Sequence, residues 1–263
     1  EPGAPRRVLT PPVMPPTGAS RGGRGLVTIY SLAAPALESL RGQGRAERAE
    51  VMRGYAPTVE EHLGATAPQA RAEAARIARA LRGRPPADVV ATAEALIALG
   101  CFDTRLVASY LLGKRPDAVG TLGVRDVERL AKGNDNWASV DSFTAAVAGP
   151  AWCDGGVSDD DVRRWSASED VWTRRMALVA TTVLNRAGGS EPERTIELCE
   201  RLAGDPHPMI RKAVSWSLRS LAPTAPEAVH AFLTAYPDLP RSVVREVEAK
   251  LTTGRKNPRA QEE

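Results

Sequence analysis

Trp137 and Asp141 stand four residues apart in the segment NWASVDSF, so a helix here carries an indole and a carboxylate on one face. Two more tryptophans sit beside charge. Trp172 is followed by Arg174 and Arg175, and Trp216 lies a turn after Arg211 and Lys212 with Arg219 a turn beyond. The chain holds five Trp against three Phe and four Tyr, an unusual ratio for the bulkiest aromatic. An indole face attracts a cation with about 0.5–2 kcal/mol, depending on desolvation. A nearby carboxylate adds a second attraction for positive charge. Arginines near helix starts, together with the free N–H groups there, suit phosphates. The combination describes a cleft with a cation at its centre and phosphate at its rim. Each residue also has a plainer role open to it. Trp165 and Trp152 fit core packing, Trp137, Trp172 and Trp216 taken singly fit it too, and a lone Asp141 fits a solvated or capping carboxylate.

The elements that must position these residues are helical throughout. Apolar residues recur at helical spacing in segments of three or four turns, separated by Gly or Pro. The periodicity predicts helices over 26–43, 46–54, 67–82, 86–99, 103–113, 123–132, 137–148, 159–166, 169–187, 191–203, 207–221, 225–235 and 240–252. The GPAWCDGG stretch around Trp152 reads as a loop. No alternating pattern of strand length occurs, so the fold class expected is all-α. The phrases DVWTRRMALVATTVL and HPMIRKAVSWSLRSLA repeat one design, with Arg174 and Arg211 37 residues apart. That is near the period of roughly 40 residues of HEAT-type helical repeats. A helical solenoid with a concave face is the expected architecture, and an irregular helical bundle is the alternative.

Composition narrows the functions. The 263 residues are 43% hydrophobic and 25% charged, which is globular composition. No apolar run nears the roughly 20 residues that span a bilayer. Cys101, Cys153 and Cys199 are widely spaced, and the only histidines are His62, His207 and His230, so neither a disulfide framework nor a metal constellation is expected. A reducing, cytoplasmic setting is the simplest reading. The net charge of +3 is matched by residues 1–24 alone, where Arg6, Arg7, Arg21 and Arg24 oppose Glu1. Any nucleic-acid surface must therefore come from the arrangement of charge in a nearly neutral body. Residues 1–24, with six prolines, read as a flexible arm, 25–252 as the folded domain, and 253–263 as a flexible tail. The chain starts at Glu1, consistent with a processed end.

DNA carrying an alkylated, positively charged base would match a cation cleft rimmed by phosphate sites. Four blocks in order strengthen that reading: AEVMRGYAPTVEEHLGATAPQAR, NWASVDSF, RWSASEDVWTRRMAL and MIRKAVSWSLRS. Through them, residues 46–250 resemble the AlkD-type family of DNA alkylation-repair glycosylases, which are HEAT-like repeat proteins with a concave DNA-binding face. The resemblance implies that Trp137 and Trp216 bracket the lesion deoxyribose, that base excision depends on Asp141, that Arg175 holds the DNA backbone near the lesion, and that Tyr55 lies near the cleft. It further implies a monofunctional hydrolase that cuts the N-glycosidic bond of N3- or N7-alkylpurines, bulky adducts among them, without a cofactor or metal, while the base stays stacked.

Further phosphate contacts are expected from Arg174, Arg175, Arg211, Lys212, Arg219, Arg245 and Lys250. The expected partner is double-stranded DNA with alkylated bases, met by a monomer away from any membrane. Base excision repair and self-resistance to a DNA-alkylating natural product are both open. The competing readings are a non-catalytic HEAT-repeat protein that binds distorted or branched DNA, and a scaffold that holds a peptide.

Overall fold

The computed structural model describes residues 23–186 and 189–256, with side chains from Leu32 onward. The helices are α1 (Gly23–Gln43), α2 (Ala46–Tyr55), α3 (Ala67–Ala80), α4 (Pro86–Ile97), α5 (Phe102–Gly113), α6 (Pro116–Val119), α7 (Val124–Ala131), α8 (Trp137–Phe143), α9 (Gly149–Cys153), α10 (Asp159–Ser166), α11 (Val171–Leu184), α12 (Pro192–Leu202), α13 (Pro208–Leu221), α14 (Pro226–Ala235) and α15 (Arg241–Thr253). Among the described residues there is no strand, only an isolated bridge between Glu61 and Cys101. The fold is an all-α helical repeat. No described helix is long and apolar enough to cross a membrane.

Two layers organise the chain. In one, α3, α5, α8, α11, α13 and α15 follow one another as packed neighbours. In the other, α4 backs α5, while α10 and α12 back α11 and α14 packs on α12. The core runs between the layers through Ile77, Leu96, Leu111, Leu112, Val127, Phe143, Leu178, Ile210 and Leu218, all fully or nearly fully buried. Helix α5 sits deepest, with nearly every residue from Phe102 to Leu112 buried.

Local sequence sets most boundaries. Thr66 and Gln69 form a reciprocal capping box at the start of α3, and Ser158 with Asp161 does the same for α10. Prolines open α4, α12, α13 and α14, where their missing N–H has no helical partner to lose.

Three sequence expectations change. The stretch around Trp152 is helical. Residues 137–153 run as α8, a π-helical turn over Thr144–Ala148, and α9. The wider turn lets the Gly149 N–H reach the Thr144 carbonyl, just ahead of Pro150, which has no N–H to give. Gly149 is required there, because a Cβ would lie 2.4 Å from Val183 Cγ2 on α11. Trp152 itself is buried, as expected for packing, and its indole N–H donates to Asp159 at 2.7 Å. Short α6 was not foreseen. Finally, Gly23 and Arg24 belong to α1 instead of the arm, and residues 1–22 and 257–263 lie outside the described residues.

Candidate active site

Trp137 is the first residue of α8 because Asn136 precedes it. The Asn136 side-chain oxygen accepts from the Ala138 and Ser139 N–H groups at 2.9 and 3.1 Å, stopping the helix there. The indole is half-buried and points back over the N-terminal end of the helix. Its Nε1–H donates to the Tyr55 carbonyl at 3.0 Å, and the Tyr55 ring meets it edge-on with centroids 5.0 Å apart. Such an edge-to-face pair contributes about 0.5–1.5 kcal/mol beyond its buried area. Tyr55, 63% exposed, ends α2, so two distant segments fix the orientation of one indole.

Asp141 follows one turn later on the same face. Both of its carboxylate oxygens accept from Arg175, Nε to Oδ1 at 2.8 Å and Nη2 to Oδ2 at 2.7 Å. The remaining arm of the guanidinium, Nη1, donates to the Met209 carbonyl at 2.6 Å. Arg175 thus ties α8 to the first turn of α13. Burial pushes the Asp141 carboxyl above the ordinary carboxylate range, and the Arg175 guanidinium pulls against that shift. A fork on both oxygens is the geometry of an ionised acid.

Trp216 lies on α13 seven residues after Met209, on the same helix face and roughly 10 Å further along the axis. It is half-buried and makes no aromatic pair with Trp137 among the described residues. The two indoles belong to different helices of one layer, with α11 and its Arg175 between them. Direct contacts therefore join Tyr55 to Trp137 and Asp141 to Arg175, the two pairs standing one helical turn apart on α8, with Trp216 on α13 beyond α11.

The other expected DNA contacts divide. Arg175 is only 5% exposed, and its hydrogen bonds run to Asp141 and the Met209 carbonyl. Arg174 is also spent internally. Its Nε donates to Asp205 at 2.8 Å and its Nη1 to the Ser168 and Glu169 carbonyls, linking the turn before α11 to the turn before α13. Arg219 is partly buried beside Glu246 and donates to Ser215 Oγ at 3.2 Å, and burial lowers its pKa. Lys250 donates to the Gly254 carbonyl at the end of its own helix, at 2.8 Å. Arg211, Lys212 and Arg245 are exposed and have no acidic partner among the described residues.

Sequence reasoning missed a second group of cations. A cavity of about 460 Å³ opens beside Asp141, lined by Arg71, Tyr110, Lys114, Ser142 and the small residues Ala145 and Ala146. The Arg71 guanidinium lies 5.0 Å from the Tyr110 ring centroid. Arg79 and Arg82 line an adjoining groove that shares Lys114. None of these four exposed cations has an acidic partner among the described residues. They lie on or just past α3 and α5, which carry no Trp, so only the i, i+4 pair of Tyr110 and Lys114 could have flagged them. A further cavity of about 790 Å³, lined by Trp165, Trp172, Asp135 and Asp170, includes neither Asp141 nor Trp216. Trp165 is buried, as expected for core.

This site sits in a chain that matches the family model of DNA alkylation repair enzymes over residues 36–251, and the chain belongs to that family. Its fold resembles a solved structure described as "Predicted DNA alkylation repair enzyme from Enterococcus faecalis", with a TM-score of 0.65, 20% identity, and coverage of 80% of this chain and 98% of that one. No curated protein matches the chain. Membership of the family places the protein in the repair of alkylated DNA.

Proposed function

We propose that the protein is a monofunctional DNA glycosylase that hydrolyses the N-glycosidic bond of cationic N3- or N7-alkylpurines in duplex DNA. The observation that carries this reading is the carboxylate of Asp141, fixed on both oxygens by Arg175 and one turn from an indole that is itself fixed by Tyr55.

Alkylation at a ring nitrogen makes the purine a cationic leaving group. As the C1′–N bond lengthens, the base takes the bonding pair and becomes neutral, and positive charge moves to the sugar. The π face of Trp137, with Trp216 on the neighbouring wall, stabilises that oxocarbenium character. Asp141 stabilises it as an anion and orients the water whose oxygen bonds to C1′, and the proton leaves to solvent. This is charge preorganised for the transition state, in a site that has already excluded part of its water. A neutral base leaves far less readily, so cationic adducts are favoured. The base need not enter a pocket, unlike in extrusion mechanisms. The cavity beside Asp141 supports acceptance of larger adducts.

Phosphates are bound from exposed cations, Arg211, Lys212 and Arg245 on one side of the site and Arg71, Arg79, Arg82 and Lys114 on the other. Incubation with methylated duplex tests the reading. Free 7-methylguanine or 3-methyladenine with a matching abasic site is expected, and binding without product would make the protein a recognition module.

A further inference from the structure

Two adjacent arginines of α11 reach the start of α13 by different routes. Arg175 donates from Nη1 to the Met209 carbonyl, while Arg174, turned about 100° around the helix, donates from Nε to Asp205, three residues before α13. The other oxygen of Asp205 accepts from the His207 N–H at 2.8 Å. His207 in turn caps the helix. Its Nδ1 accepts from the Met209 N–H at 3.2 Å, so the neutral ring carries its hydrogen on Nε2. The indole of Trp172 meets that ring edge-on, with centroids 6.5 Å apart. Met209 is thereby held at its N–H by His207 and at its carbonyl by Arg175.

A helix start needs one cap, and this one is held from three sides. The side chains of Asp205 and Arg174 are only 8% and 18% exposed, so the turn spends a largely buried ion pair on its own position. The consequence lies one residue along, at Arg175. A guanidinium is a rigid plane. With Nε and Nη2 forked on Asp141, the direction of Nη1 is set, and the Met209 carbonyl is the acceptor it meets. Buried as Arg175 is, little water can take that carbonyl's place. If Met209 shifts, the plane tilts to follow it or leaves an N–H unpaired, and either loosens the fork.

Taking the protein as the glycosylase proposed above, we propose that His207 and Asp205 are positioning residues for the Asp141 carboxylate, holding the Met209 carbonyl where the Arg175 fork needs it. They act on the reaction through Arg175 alone. Burial pushes the Asp141 carboxyl up and the fork opposes it, so a loosened fork raises its pKa further. The ionised form works above that pKa, so the acid limb of the rate profile moves to higher pH when the hold is lost.

The test follows base release from methylated duplex in single turnover between about pH 5 and 8. The charged groups around Asp141 are Arg175 and, across the cavity, Arg71 and Lys114. Those around His207 are Asp205, Arg174 and Arg211, whose Nε donates to the Asp205 carbonyl. His207→Ala leaves all of these in place. It is expected to fold, to melt a few degrees lower, to bind duplex like the wild type, and to release base at close to the wild-type rate at pH 8. Its acid limb is expected at higher pH, with release up to about tenfold slower on the acid side for each unit of the move. His207→Asn supplies a strong cap without a titrating ring and is expected to keep the limb in place. Asp205→Asn, which loses the charge that holds Arg174, is expected to move the limb in the same direction by less. An unmoved limb in His207→Ala, or in Asp205→Asn should the first variant not fold, overturns the proposal. So does a limb that moves as far in His207→Asn as in His207→Ala, or a rate loss equal at every pH, which would mark a purely structural role. A wild type that binds methylated duplex without releasing base would overturn the glycosylase reading, and this proposal with it.

Discussion

Replacing Arg175 separates the two roles open to it, brace or phosphate ligand. Arg175→Met removes two hydrogen bonds to Asp141 and one to the Met209 carbonyl, leaving a carboxylate whose side chain is only 16% exposed without its cation. Breaking a buried pair from one side costs about 3–5 kcal/mol. At roughly 2–4 °C per kcal/mol for a domain of this size, the melting temperature should fall by on the order of 10 °C. The pH dependence gives the finer test. Burial raises the Asp141 pKa and Arg175 opposes it, so removing the guanidinium raises that pKa further. In the mechanism proposed above catalysis uses the carboxylate, so activity is expected above the pKa and lost as pH falls through it. The acid limb of the single-turnover rate profile should therefore move to higher pH in Arg175→Met, and less in Arg175→Lys, which keeps the charge without the fork. Rates of base release between about pH 5 and 8 would show the shift, alongside gel-shift affinities across salt. An unmoved acid limb, with a salt slope reduced by about one counterion, would make Arg175 a phosphate ligand and refute the brace.

Trp137→Ala and Trp216→Ala should each slow release of 7-methylguanine by about tenfold, from the loss of roughly 1–2 kcal/mol of cation–π stabilisation; an unchanged single-turnover rate in either would remove that indole from the mechanism. Lys212→Ser and Arg245→Ser should each lower the slope of log affinity against log salt by about 0.9, whereas Arg174→Ser should leave the slope alone and lower the melting temperature, because Asp205 holds that side chain. Equal slopes for all three variants would contradict the division made here. Gly64→Ala should destabilise the fold by at least about 1–3 kcal/mol in chemical denaturation, since its φ is +77° and a Cβ would lie 2.1 Å from the Arg45 carbonyl oxygen; an unchanged midpoint would argue against that close packing of the α2–α3 loop.

Much of the helical order was legible because its signals are local. Asn136 before Trp137, the Ser158–Asp161 pair and the prolines at helix starts act within one turn, and the boundaries they imply fall within a few residues of the observed ones. What the segment's sequence did not show is the close approach of Val183 to Gly149, beside the π-turn, because that contact spans 34 residues. The site was legible in its types and less so in its roles. Trp137 and Asp141 share a face because their spacing demands it. Whether an arginine is free or spent depends on partners far away, Asp141 for Arg175 and Asp205 for Arg174, and these two look alike in sequence yet neither is free. The cations Arg71, Arg79, Arg82 and Lys114, without an acidic partner among the described residues, escaped notice for the same reason, since a charge gains meaning from the acids around it.

In the mechanism proposed, a fixed Asp141 carboxylate, and not DNA binding alone, releases the base. It is tested most directly by following free 7-methylguanine from methylated duplex in single turnover for the wild type and Asp141→Asn, with duplex affinity measured on the same samples. The wild type is expected to release the base, and the Asn variant to bind within a few-fold of wild type while losing most of the release. Release by Asp141→Asn at the wild-type rate would contradict it.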